Sequence, residues 1–126
     1  MGLVLDTGGL IAFDRGDREV ASLLEAARRR RELVVTSSAC VAQSWRGEGS
    51  RQALLARLLG GVIEVGLDRR MSRATGNLCG ATKTADVIDS HVALLVRDGD
   101  VVLTSDVDDL RRLLRTRGVT AHVRRC

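Results

Sequence analysis

Four aspartates have a type and placement that could do chemistry. Asp6 closes the apolar run Leu3-Val4-Leu5, and Asp106 follows Val101-Val102-Leu103. Asp86 and Asp89 lie three apart in the stretch TADVIDSH. Carboxylates gathered in one place repel each other, and burial makes the charge costlier still, so such a set needs a cation. No His or Cys is needed in this group, so its donors would all be oxygen, which suits Mg²⁺ or Mn²⁺. Each acid also has a plain structural use. Asp6 could brace a turn. Asp106 could be the N-cap of the helix bearing Leu110, and Asp86 the N-cap of the helix that follows it. Asp89 fits such a role less well. It lies in the first turns of its helix, beside residues that pack inward, with no cation near in sequence on that face.

The surrounding elements must bring these acids together. Leu3 to Leu5 reads as a buried strand ending in a turn at Asp6-Thr7-Gly8-Gly9. From Asp17, the residues Val20, Leu23, Leu24 and Ala27 share a helical face. Leu33 to Val35 is the next strand, followed by a helix over Ser38 to Arg46 and another bearing Leu54, Leu55, Leu58 and Leu59. Val62 to Val65 is a short strand, and Asp68 to Ala81 is helical. Ile88, Val92, Leu95 and Val96 mark a helix starting at Asp86. Val101 to Leu103 is a strand, and Leu110, Leu113 and Leu114 share a helical face. Val119 to Val123 alternates like an edge strand. Short β-branched strands alternating with helices predict an α/β domain around a mostly parallel sheet. In such sheets ligands bind beyond the carboxyl ends of the strands, where Asp6 and Asp106 are expected.

The composition is compatible with this. The 126 residues suit one domain spanning 1–126, and 44% hydrophobic with 29% charged residues reads as soluble and globular. No apolar run approaches the roughly 18 residues of a membrane helix, and no leader is expected, since Met1 runs straight into a strand-like stretch. Cys40, Cys79 and Cys126 are an odd number without metal-binding spacing, so thiols in a reducing compartment, the cytoplasm, are expected. The net charge is +4, and Lys83 is the one lysine among 20 basic residues. Arginine suits phosphate, although genomic base composition explains such a bias equally well.

LVLDTGGLIA, DVIDSHVALL and VVLTSDVDDL together resemble the three acidic motifs of PIN-domain ribonucleases, and most closely the small VapC toxins of toxin–antitoxin pairs. The resemblance spans almost the whole chain. It implies a three-layer α/β/α sandwich with a mostly parallel central sheet. It also implies Mg²⁺- or Mn²⁺-dependent cleavage of RNA, leaving a 3′-hydroxyl and a 5′-phosphate. By that resemblance Asp6, Asp89 and Asp106 hold the metal and carry catalysis. Thr104 is the hydroxyl companion of Asp106, Asp109 is an accessory acid, and Thr7 supports the site by bonding a carboxylate. RNA substrate, a small cognate antitoxin and a homodimer are the implied partners, with no membrane involved. One departure stands out. The family's usual glutamate on the helix after the second strand is here Gln43, which leaves Glu48 or Asp86 as candidate substitutes.

Two other readings remain. LVLDTGG also resembles the Asp-Thr-Gly signature of aspartic proteases, in which two subunits' carboxylates share a proton; the amphipathic helices count against that nearly all-β fold. Gln43 also permits a non-catalytic PIN-like module that binds RNA or a protein. Within WRGEGSRQ, Trp45, Arg46 and Arg51 form a candidate RNA or partner contact. Arg28 to Arg31 end a helix, where cations suit its dipole. His91 and His122 are read as non-catalytic.

Overall fold

A computed structural model describes residues 1–47 and 52–126. β1 (Leu3–Leu5) is followed by α1 (Thr7–Asp14), α2 (Arg18–Arg29), β2 (Val34–Ser37), α3 (Ser38–Ser44), α4 (Ala53–Leu59) and β3 (Ile63–Val65). Then come α5 (Arg69–Thr82), α6 (Val87–Leu95), β4 (Val101–Thr104), α7 (Val107–Arg117) and β5 (His122–Arg125). The five strands form one sheet in the order β3-β2-β1-β4-β5, and every pairing is parallel.

β1 lies at the centre and is buried along its whole length, with Val4 and Leu5 at most 1% exposed. A strand covered on both faces must be apolar at every position, which is why LVL shows no alternation. Truncating Leu5 to Ala would cost about 2–5 kcal/mol. The edge strands β3 and β5 are largely exposed and carry the charged residues. α1 packs on β1 and β4 and contacts α2, α3 and α4. α6 packs on β1 and β2 and contacts α5 and α7. The chain runs outward from β1 through β2 to β3, then crosses back to β4 on the other side of β1. The carboxyl ends of β1 and β4 therefore flank a topological switch point.

Most elements shift by a residue or two from the bounds read in the sequence, and three differences matter more. α1 was expected to be a turn. It forms because Asp6 caps it, accepting from Gly9 N–H at 2.9 Å, and because Leu10 is buried on its inner side. The second strand runs Val34–Ser37 rather than Leu33 to Val35, since Thr36 and Ser37 are buried and Leu33 is exposed. The last strand is His122–Arg125, in parallel register with Val101–Thr104, rather than Val119 to Val123. An all-parallel sheet with seven helices among the described residues is not the nearly all-β fold of an aspartic protease. No helix among the described residues is long and apolar enough to cross a membrane.

Candidate metal centre at the carboxyl ends of β1 and β4

Asp6, Asp89 and Asp106 each bring a carboxylate oxygen to one place, and these oxygens lie within 4.8 Å of one another. β1 delivers Asp6, the first turn of α6 delivers Asp89, and the end of β4 delivers Asp106. Asp6 is 3% exposed and held at both oxygens: Oδ1 accepts from Gly9 N–H, and Oδ2 accepts from the Thr104 hydroxyl. Thr104 is fully buried, and its oxygen also accepts from Asp106 N–H at 2.8 Å. One hydroxyl thus ties two of the three acids together. Asp106 occupies the N-cap position of α7, yet its side chain makes no capping bond and stays exposed at the site. A good capping residue that does not cap is free for another use.

Asp89 is 5% exposed, and its Oδ2 is buried with no hydrogen-bond partner among the described residues. Burial raises its carboxyl to about 7, and the charges of Asp86, Asp106, Asp6 and Asp109 push in the same direction. Asp6 is also raised, first by burial and further by Asp106, against the lowering bonds from Thr104 and Gly9. Burial and mutual repulsion leave this set short of positive charge. Three carboxylates, one of them with a buried unpartnered oxygen, fit a hard divalent cation, which takes all-oxygen ligands and commonly keeps water among them.

The remaining candidates divide. Asp86 is the N-cap of α6, accepting from Asp89 N–H at 2.9 Å, so its carboxylate orients the helix that carries Asp89. Asp109 is exposed on α7 and reaches the site through its charge. Thr7 does not bond a carboxylate; its hydroxyl donates to Gln43 Oε1, because α1 and α3 are packed together there. Gln43 is exposed on α3. Trp45 is half-buried against the core. The Arg46 guanidinium donates to Ala42 O at 3.2 Å and Trp45 O at 2.9 Å. Glu48 and Arg51 lie outside the described residues. His91 is fully buried, with Nδ1 and Ser37 Oγ 2.7 Å apart, and burial lowers its pKa. That contact anchors α6 to the end of β2, a positioning link the sequence did not reveal. Cys40 is buried near Asp6 and Asp89, and burial raises its thiol to about 11, so it remains a neutral packing group.

No family model matches the chain, and no curated protein matches it. Solved structures do. VapBC2 from Rickettsia felis, bound to a DNA fragment from their promoter, is similar with a TM-score of 0.69 at 14% identity, over 98% of this chain and 99% of that one. FitAcB from Neisseria gonorrhoeae is similar with a TM-score of 0.60 at 15% identity, over 95% and 96%. These findings correct the family assignment. The motifs resemble those of PIN-domain ribonucleases of the VapC type, but no family model supports that membership. The likeness to VapBC2 and FitAcB is one of fold, at low identity. That establishes a shared fold, and the VapC assignment does not stand. What the carboxylates can do rests on their own geometry.

Proposed function

We propose that the chain is a Mg²⁺- or Mn²⁺-dependent endoribonuclease and the toxic member of a toxin–antitoxin pair. The carrying observation is the convergence of Asp6, Asp89 and Asp106, of which Asp89 has a buried oxygen without a partner among the described residues. A bound divalent cation would supply an activated water and offset charge on the phosphate. The chain's own residues then do the positioning. Thr104 and Gly9 fix Asp6 in one orientation. Asp86 and the His91–Ser37 contact set the angle of α6 and hence of Asp89. Asp106 reaches in from the solvent side, where a substrate phosphate would approach. Cation binding competes with the proton that Asp89 holds near neutral pH. No histidine base is required in this scheme.

The toxin–antitoxin setting draws on the fold shared with VapBC2 and FitAcB. A small inhibiting antitoxin and a second copy of the chain are the corresponding partners. In the same reading, the α1–α4 and α5–α7 groups are the outer layers of a three-layer α/β/α sandwich. A second reading, a non-catalytic module that binds RNA or a protein, draws on Gln43, whose amide brings no charge toward the site.

The test is cleavage of purified RNA with Mg²⁺ or Mn²⁺ against EDTA, comparing the wild type with Asp6→Asn. Metal-dependent cutting lost in the variant is expected. Tight RNA binding without metal-dependent cutting would establish the non-catalytic module instead.

A further inference from the structure

A cleft of about 520 Å³ opens beside the carboxylates, between α1 and the end of β5. Gly8 and Ala12 of α1 and its C-cap Arg15, with Asp17, Ser105 and Cys126, line its walls. The fold sets it against the acids. Gly8 lies two residues after Asp6, Ser105 immediately precedes Asp106, and Cys126 N–H donates to Thr104 O at 3.0 Å. A Cβ at position 8 would stand 2.8 Å from Ser105 Oγ and 3.0 Å from its backbone nitrogen. Glycine here lets the start of α1 close on Ser105 with the cleft open just past that contact.

The charges around the acids are uneven. On the α6–α7 side, Asp86 and Asp109 are exposed and add to the negative field at Asp89. On the α1 side the rim carries cations. Arg15 is exposed at the C-cap of α1, and among the described residues its guanidinium has no hydrogen-bond partner. Arg125 donates through Nη1 to Ser105 O at 2.9 Å, and among the described residues its other nitrogens have no hydrogen-bond partner. A polyanion would therefore pass on the α1 side.

We propose that this cleft is the subsite for a nucleotide adjoining the scissile phosphodiester of an RNA strand, an assignment that rests on the ribonuclease reading above. Its volume lies within the ordinary range for small-ligand sites, roughly 300–1,000 Å³. Asp17, whose Oδ1 accepts from Val20 N–H at 3.0 Å, lines the cleft and disfavours a phosphate inside it. The base and ribose therefore take the cleft, and the next phosphate takes the arginine rim. Among the described residues no aromatic ring lines the cleft, so the base packs on the Arg15 guanidinium plane and the aliphatic Ala12.

The experiment is steady-state cleavage of a defined oligoribonucleotide by the full chain, with Arg15→Glu, Arg15→Lys and, as a control at an exposed arginine of α7 outside the cleft lining, Arg112→Glu. Arg15→Glu should raise KM at least about tenfold, with kcat within about twofold and Mn²⁺ affinity unchanged. Arg15→Lys should recover only part of that loss, because a point charge replaces the planar fork. Arg112→Glu should match the wild type. A wild type that cuts RNA while Arg15→Glu keeps the wild-type KM would overturn the subsite and leave the nuclease reading standing. A fall in kcat alone would also overturn it. A wild type that cuts no RNA removes both.

Discussion

Two carboxylates in this protein are almost equally withdrawn from water, Asp100 at 3% exposure and Asp89 at 5%, and they are treated in opposite ways. Asp100 lies just before β4, at the amino end of the sheet. Its Oδ1 accepts from Gly2 N–H and its Oδ2 from Arg97 N–H, both at 2.8 Å. Each oxygen has a donor, so this acid closes the turn into β4 and fastens the start of the chain. Asp89 lies at the carboxyl end. One of its oxygens has no partner, and its nearest charges are other acids. A buried carboxylate completed by backbone donors is a structural device. One left short of donors among like charges costs stability that a cation would return. The difference separates function from architecture more sharply than burial or residue type does.

The largest effect that could break this contrast is on activity. Asp89→Asn and Asp6→Asn should each lower metal-dependent RNA cleavage by more than roughly 100-fold with the fold retained. Circular dichroism together with a cleavage assay checks both halves. Asp100→Ala should do the reverse, losing about 2–4 kcal/mol in urea unfolding because two buried N–H groups lose their acceptor. Its residual folded fraction should keep its specific activity.

The pH dependence comes next. In EDTA, folded Asp89 titrates near 7 against an ordinary value of 3.8, and Asp6 is shifted in the same direction. Between those values the folded state holds a proton that the unfolded chain has released, so stability falls as pH rises from about 4 to about 7. Asp89→Asn should flatten this slope and stabilise the EDTA-treated protein at pH 8 by on the order of 1–3 kcal/mol. A wild type whose stability rises over that window would contradict the charge deficit. The smallest effect is expected at position 43. Gln43→Glu should tighten Mn²⁺ binding by a few-fold at most, since the side chain is exposed and bonded to Thr7. A tenfold change would place residue 43 in direct contact with the cation.

Much of this contrast was legible in the sequence. Runs such as LVL and VVL identify buried parallel strands, and the rule that ligands sit at strand carboxyl ends pointed Asp6 and Asp106 to one edge. Asp86 was readable as a cap. The helix α1 was hidden because Thr7-Gly8-Gly9 carries turn signals, and tertiary packing decided the outcome: Gly9 lies close to Leu103 and Leu5, and only a small residue fits there. The partner of Thr7 was also hidden, since it depends on how α1 meets α3. So was the His91–Ser37 contact, which joins positions 54 apart in sequence. Asp100 gave no signal at all, because its value lies in two backbone N–H groups whose approach only the folded chain determines.

The central claim is that Asp6, Asp89 and Asp106 form one cation site. Mn²⁺ titration at pH 7.5, followed by loss of the free-ion electron paramagnetic resonance signal, tests it without reference to any substrate. The wild type should take up Mn²⁺ at a saturable site, and Asp89→Asn should bind at least about tenfold more weakly, while Asp108→Asn, an exposed neighbour outside the cluster, matches the wild type. Equal binding by wild type and Asp89→Asn, or no saturable uptake by the wild type, would contradict the account.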